Sequence, residues 1–369
     1  MHPTMIEINK KIFENNLIQI RKQIGVGVRL LLPVKANAYG HGLVLIAKLA
    51  EPLVDYFGVA CLDEGVQLRQ NGICKPILVF GAIDEEQIRG LVENNLEITI
   101  SSMYKAKLVH EFCLKSGKEC KVQIKVDTGM NRVGIRPESF GSLFDFVLAS
   151  NVLILTGVYS HLAMSEVIDK SVTETQITSF SAIVEIVKAR KPTVICHLAN
   201  SGGVCYYPSS HFDMVRPGLL SYGYFPGEKL TTGNLAKIKS CFSLKSRVSY
   251  FKVVNKGAGI SYNHRYHTSE MTRIVTIPIG YGDGYRRGLS NSGEVLIHDK
   301  RYRISGTICM DMFMVDIGRN GEAYVGDEVV LIGRQGNEEL KIEELARKLD
   351  TIIYEVLVGF NERIPRVIV

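Results

Sequence analysis

Lys35 is the first residue whose setting suggests chemistry. The run Leu30-Leu31-Leu32-Pro33-Val34 has the character of a buried strand and ends abruptly in this lysine. Ala36-Asn37-Ala38-Tyr39-Gly40-His41-Gly42 follows. Apolar residues around its root would desolvate the ammonium, which lowers the pKa and leaves a neutral amine able to form a Schiff base. A strand-end lysine that simply extends to water is the commoner arrangement; the glycines and Tyr39 after it favour a ligand site. Four other places carry reactive or ligand-binding residue types. They are Arg132 in Asp127-Thr128-Gly129-Met130-Asn131-Arg132, His161, Asn200-Ser201-Gly202-Gly203, and Arg216-Pro217-Gly218. A serine hydroxyl with glycine N–H donors suits a phosphate, and arginine brings a permanent charge. Taken singly each has a plainer explanation: a turn arginine, a loop-capping histidine, a helix N-cap, a rim salt bridge.

These residues gain weight from the elements that must carry them. Short apolar runs occur at Leu30–Val34, Tyr56–Ala60, Pro76–Phe80, Leu96–Ile100, Val122–Val126, Leu153–Tyr159, Val194–His197 and Met214–Arg216. Amphipathic stretches such as Leu43–Leu53, Asp84–Glu93 and Met103–Lys115 lie between them. Eight strands alternating with helices over about 200 residues predict a (β/α)8 TIM barrel. Barrel active sites form at the C-terminal strand ends, and there the five places converge on one face. Phosphate sites favour the loops after strands seven and eight, where Ser201 and Gly218 fall. An amine nucleophile, a phosphate cradle and an arginine between them point to pyridoxal 5'-phosphate.

After Tyr224-Phe225-Pro226 the rhythm changes. Runs at Leu244–Val254, Arg273–Ile279, Glu294–His298, Tyr302–Cys309 and Val329–Ile332 lack crossover helices, which predicts a mostly antiparallel β domain. Helices are expected at Ile342–Lys348 and Ile352–Val358. The expected division is a barrel domain over residues 1–235 and a C-terminal β domain over 236–369. Residues 1–9 are a candidate extra strand of the latter.

A net charge of +6, 46% hydrophobic and 22% charged residues describe an ordinary globular chain. No block of like charge suggests nucleic acid, and no apolar run reaches the length of a membrane span. Residues 1–10 lack the apolar segment of a signal peptide. The eight cysteines include no C-x-x-C pair, and the expectation is a cytoplasmic protein with reduced thiols. The nine histidines show no ligand spacing, so no metal is expected.

Val34-Lys35-Ala36-Asn37-Ala38-Tyr39-Gly40-His41-Gly42 resembles the cofactor-lysine signature of bacterial alanine racemases. Lys125–Arg132, His197–Ser201, Val215–Gly218, Ser261-Tyr262, Gly280–Gly284 and Cys309-Met310-Asp311 continue the resemblance in order across the chain. It implies a pyridoxal 5'-phosphate enzyme that interconverts L- and D-alanine by two bases and supplies D-alanine for peptidoglycan. It implies the cofactor on Lys35 as a Schiff base, phosphate contacts from Tyr39, Ser201, Gly218 and Tyr354, and Arg216 facing the pyridine nitrogen. It further implies Tyr262 of a partner subunit as the second base, supported by His161 and Arg216, and therefore a homodimer with a shared site. The substrate carboxylate would meet Arg132 and the Met310 amide of the partner chain, and Lys125 is a candidate for carbamylation.

The sequence departs from the family pattern at Asn131 and Asn263, where glycine is frequent, and at Thr307, where arginine is common. By the resemblance, Asn263 and Thr307 would lie near the substrate entrance. A racemase preferring serine stays open, because one hydroxyl shifts selectivity modestly in an apolar pocket. A non-catalytic cofactor carrier and a decarboxylase of basic amino acids share the barrel but lack the segments around Tyr262 and Met310.

Overall fold

The computed structural model describes residues 3–227 and 233–369. The expected domain junction near residue 235 adjoins residues 228–232, which lie outside the described residues. The described chain divides into two units, one of residues 11–38 and 43–240, the other of residues up to Lys10, Tyr39–Gly42 and Cys241–Val369.

The first unit is the expected TIM barrel. After β1 (Met5–Ile8) come β2 (Arg29–Pro33), β3 (Tyr56–Val59), β4 (Ile77–Val79), β5 (Glu97–Ile100), β6 (Cys120–Lys125), β7 (Leu153–Tyr159), β8 (Ile195–His197) and β9 (Met214–Val215). The last eight close into one parallel barrel, with Arg29 and Leu30 of β2 paired to Met214 and Val215 of β9. Strands covered on both faces are mostly apolar, and β3, β4 and β5 are buried along their whole length, Glu97 and Thr99 of β5 included. Leu31, Tyr56, Leu78, Tyr159, Ile195 and Met214 pack together as a buried cluster. Connecting helices start and stop on ordinary signals. Ser102 caps Met103–Ser116 by accepting from the Lys105 N–H at 3.2 Å, and Gly117 ends it at φ 66°.

The second unit is mostly antiparallel. Its strands are β1, β10 (Phe242–Arg247), β11 (Tyr250–Val254), β12 (Gly259–Ile260), β13 (Tyr266–His267), β14 (Thr272–Ile277), β15 (Glu294–Ile297), β16 (Lys300–Arg303), β17 (Phe313–Asp316), β18 (Glu328–Gln335), β19 (Glu338–Leu340) and β20 (Arg366–Ile368). One sheet runs β16-β15-β18-β10-β1-β20, with β19 on β18; a second runs β11-β14-β17; β12 and β13 form a hairpin. β1 pairs antiparallel with β10 and parallel with β20.

Two expectations change here. The single run Leu244–Val254 is two strands in different sheets. Val248 breaks it by donating to the Asp327 carbonyl and accepting from the Gly326 N–H. The run Tyr302–Cys309 ends as a strand at Arg303, because Gly306 turns the chain at φ 87° and releases residues 307–309 into a loop.

Candidate active site

Lys35 leaves β2 directly into a left-handed turn. Ala36, Asn37, Ala38 and Tyr39 all have φ of 52–53°, a region that costs a non-glycine residue about 1–2 kcal/mol. Side chains and backbone hold the turn. The Ala36 N–H donates to Glu64 Oε1 at 2.6 Å, while Glu64 Oε2 accepts from the Ala60 N–H at 2.7 Å. The Leu43 N–H donates to Asn37 Oδ1 at 2.7 Å, and Ala38 N–H to the Val34 carbonyl at 2.7 Å. Strain retained against this cost is the mark of a positioned residue. Burial lowers the pKa of Lys35, Arg132 and Arg216 lower it further, and Glu64 opposes them.

Arg216 stands at the end of β9, 4% exposed, in a set of fixed bonds. Nη2 donates to the carbonyls of Ser160 at 2.6 Å and Leu198 at 3.0 Å, and lies 3.3 Å from His161 Nδ1. Nη1 bonds His197 Nδ1 at 2.6 Å. Among the described residues nothing accepts from its Nε–H. Burial lowers the Arg216 pKa to about 10, which leaves it cationic at neutral pH. Burial and the Arg216 charge hold both His161 and His197 well below the usual imidazole value, so both rings are neutral.

Behind Arg216 the polar chain continues into the barrel. His197 Nε2 meets Gln123 Oε1 at 2.7 Å, and Gln123 Nε2 donates to Glu97 Oε2 at 2.7 Å. Thr156 Oγ1 donates to the same carboxylate oxygen at 2.8 Å. His197 stacks on Tyr159 with centroids 4.9 Å apart and planes 8° from parallel. Tyr159 also receives the Lys125 ammonium 4.8 Å and the Arg216 guanidinium 5.4 Å from its ring centre. Lys125 is 5% exposed at the end of β6. Burial, with Arg216 and Arg132, lowers its pKa to about 7. Arg132 is exposed on the loop after β6. That loop is shaped by Asp127 Oδ1, which accepts from the N–H groups of Gly129, Met130 and Asn131 at 3.0 Å each.

Ser201 and Gly218 begin two short helices, Ser201–Tyr206 and Gly218–Ser221, and the Leu220 N–H donates to Ser201 Oγ at 3.2 Å. Asn200 caps the first by accepting from the Gly203 N–H at 3.0 Å. The N–H groups of Gly202, Gly218 and Leu219 lie in buried residues and have no acceptor among the described residues. A phosphate would satisfy such first-turn donors. These orphan donors, the open Arg216 Nε–H and the depressed amine of Lys35 together fit the donor set of pyridoxal 5'-phosphate.

The remaining candidates belong to the second unit. Tyr39 and Tyr354 face each other with ring centroids 5.8 Å apart, and burial raises the Tyr39 pKa to about 12. Gly40 follows at φ 80°, where a Cβ would fall 2.2 Å from the Leu357 carbonyl. Tyr262 is 67% exposed on a short turn, and Met310, 54% exposed, sits in the loop before β17. Thr307 Oγ1 donates to the Tyr262 carbonyl at 3.1 Å, and Ser261 Oγ donates to the Thr307 carbonyl at 2.6 Å. Asn131 and Asn263 have φ of 56° and 61°. Both departures from glycine thus occupy left-handed positions that asparagine tolerates best among side-chain-bearing residues.

His197, Gln123, Glu97 and Glu64 were not singled out as site residues in the sequence. The first three had a signal: polar residues at buried positions of otherwise apolar barrel strands. Glu64 had none, because its role depends on where a helix sets its first turn.

Comparison with known proteins covers both units. Residues 8–226 match the alanine racemase N-terminal domain family and residues 241–368 the alanine racemase C-terminal domain family. The chain is 38% identical to the alanine racemase of Desulforamulus reducens over 99% of this chain and 98% of that one. Among solved structures, the alanine racemase of Clostridium difficile 630 superposes with a TM-score of 0.93 at 34% identity, covering 100% of this chain and 96% of that chain. The alanine racemase of Bacillus anthracis with bound L-Ala-P gives 0.92 at 33% identity, covering 100% and 95%.

Proposed function

The chain belongs to the alanine racemase family and interconverts L- and D-alanine, and we propose that it does so with pyridoxal 5'-phosphate held on Lys35. When bound, the cofactor supplies an electron-withdrawing ring that stabilises negative charge at the substrate Cα. Lys35 carries a proton at Nζ on one side of that carbon. A half-buried amine whose pKa is lowered by desolvation and by the Arg132 and Arg216 charges is suited to both taking and returning it. Tyr262 Oη of a partner subunit does the same on the opposite side, which makes the working form a homodimer. With the cofactor bound, Arg216 would be the residue whose free Nε–H is available to the ring nitrogen. Its permanent charge opposes a proton there and favours return of the substrate proton to Cα. His161, neutral and 3.3 Å from Arg216, is the link between that charge and the tyrosine.

Ser201 and Gly218, with Tyr39 and Tyr354, bind the phosphate. Arg132 and the Met310 amide of the partner chain bind the substrate carboxylate. Lys125, with its amine depressed to about 7, is the kind of neutral nucleophile that adds carbon dioxide, and its carbamate would orient Arg132. We take residues 1–235 as the cofactor-binding domain and 236–369 as the domain that supplies Tyr262. All eight cysteines are free, which suits a reducing cytoplasm and a role in making D-alanine for the cell wall.

The match of both units to the family carries this reading, because it includes the segments around Tyr262 and Met310 that barrel-only relatives lack. Purified protein supplied with the cofactor should erase the optical rotation of L-alanine faster than that of L-serine. Loss of neither rotation would reject racemisation, and faster loss with serine would reassign the substrate.

A further inference from the structure

The loop carrying Met310 is held by a bracket built entirely within the second unit. Its Cys309 carbonyl accepts from the Tyr281 N–H at 3.1 Å, and its Met310 carbonyl accepts from the Gly282 N–H at 2.8 Å. The two segments touch so closely that a Cβ on Gly280 would lie 2.3 Å from the Cys309 oxygen and 2.4 Å from the Met310 oxygen. The Cys309 N–H closes the loop onto the Met312 carbonyl at 2.9 Å. Among the described residues the Met310 N–H itself donates to nothing. The Met310 N–H is thus an open hydrogen-bond donor on a loop whose Cys309 and Met310 carbonyls are both engaged.

Arg363 joins the two halves of the bracket. Its Nη2 contacts Asp311 Oδ1 at 2.8 Å and its Nε lies 3.3 Å from Asp283 Oδ1. Asp283 is buried and fastened at its other oxygen, which accepts from the Gly280 N–H at 3.0 Å. The preceding Asn361 donates to the Gly282 carbonyl at 2.7 Å, so the chain around Arg363 is anchored to the same turn. Asp311 is the next residue after Met310 and is half exposed. Without its arginine it would place a free carboxylate beside the open N–H, where it would repel an anionic ligand.

We propose that Arg363 is a positioning residue for the substrate carboxylate, bridging Asp311 and Asp283 so that the Met310 N–H is presented in a fixed direction with the neighbouring negative charge neutralised. The proposal rests on the reading that the Met310 amide receives that carboxylate. A planar guanidinium reaching two carboxylates through Nε and Nη2 does this better than an ammonium, which acts as a single point charge.

The test uses the cofactor-loaded enzyme and its variants Arg363→Gln and Arg363→Lys. Arg363→Gln should raise KM for L-alanine roughly tenfold, about the loss of one well-placed hydrogen bond, with kcat changed less than about threefold. Arg363→Lys should fall between it and the parent enzyme. Propionate, a carboxylate with no amine, serves as the probe in enzyme labelled with 15N-methionine. It should shift the Met310 amide resonance in the parent enzyme and bind more weakly to Arg363→Gln. Unchanged KM and propionate affinity in Arg363→Gln, with the parent Met310 resonance still responding, would overturn the positioning role alone. A parent Met310 resonance that ignores saturating propionate would overturn the carboxylate reading beneath it. Equal loss of kcat and thermal stability in both variants, with KM unchanged, would reduce Arg363 to a structural bridge.

Discussion

Replacing Gln123 with leucine, similar in size and without polar atoms, should cut the buried chain behind Arg216 at its middle. The direction of donation along that chain is fixed. Arginine can only donate, so His197 Nδ1 accepts from it and His197 Nε2 must carry the proton offered to Gln123 Oε1. Gln123 then turns its amide NH2 to Glu97. Leucine leaves the buried His197 N–H with no acceptor and takes one donor from the buried Glu97 carboxylate, which keeps Thr156 at 2.8 Å. A stranded buried N–H costs about 1–3 kcal/mol and a lost hydrogen bond to a charge about 1.5–3 kcal/mol. Apolar burial by leucine returns about 1 kcal/mol, leaving a net destabilisation of roughly 2–5 kcal/mol. For a unit of this size that is a Tm lower by roughly 5–15 °C. Differential scanning calorimetry measures it, and the racemisation rate measured in parallel should show a fall in kcat as Arg216 loses its fixed acceptor. A leucine variant with the parent Tm would refute the claim that the chain is a connected, satisfied network.

The Lys125 amine gives a prediction with a definite sign. Its pKa is about 7 in the folded chain against 10.5 for an unperturbed lysine, so between those pH values the unfolded chain binds more protons. Stability should therefore rise with pH across that window, by up to about 1.4 kcal/mol per unit, and the rise should vanish in Lys125→Met. Urea titrations at about pH 7 and pH 9 measure it; a slope that survives in Lys125→Met would place its source elsewhere, while bicarbonate should flatten the parent slope if the amine is carbamylated. Tyr262→Phe should impair proton abstraction from one alanine enantiomer more than from the other. Equal loss in both directions, with isotope effects unchanged, would argue against two opposed bases.

The barrel was legible because parallel strands covered on both faces are predominantly apolar, and the runs found in the sequence are, to within a residue or two, the strands observed. Leu153–Tyr159 coincides with β7 residue for residue. The face of the site followed from the barrel rule, which is why Lys35, His161, Ser201 and Arg216 could be grouped before any distance was known. What escaped was conformation that side-chain pattern does not encode. Only Asn37 in Ala36-Asn37-Ala38-Tyr39 hints at a left-handed turn, because the other bonds that hold it come from Glu64 and from the backbone. The division of Leu244–Val254 escaped for a related reason. Its β-forming residues continue without interruption, and the break is imposed by partners near residues 326–327. Asn131 and Asn263 looked like departures until their positive φ values showed the same backbone requirement met by a different residue.

The pairing of β1 with both β10 and β20 also governs the order in which the molecule can be made. As the chain emerges from the ribosome, Met5–Ile8 appears first. Its antiparallel partner follows only after the whole barrel, and its parallel partner, Arg366–Ile368, comes later still. The barrel strands find their neighbours close by in sequence, so they can assemble while β1 still waits with both edges open. Unpaired strand edges are templates for pairing with the wrong chain. The barrel gains from early closure, whereas the largest sheet of the second unit is completed only when β1 meets β10 and β20. Synthesis thus delays the central pairing of the second unit until the barrel strands have all emerged.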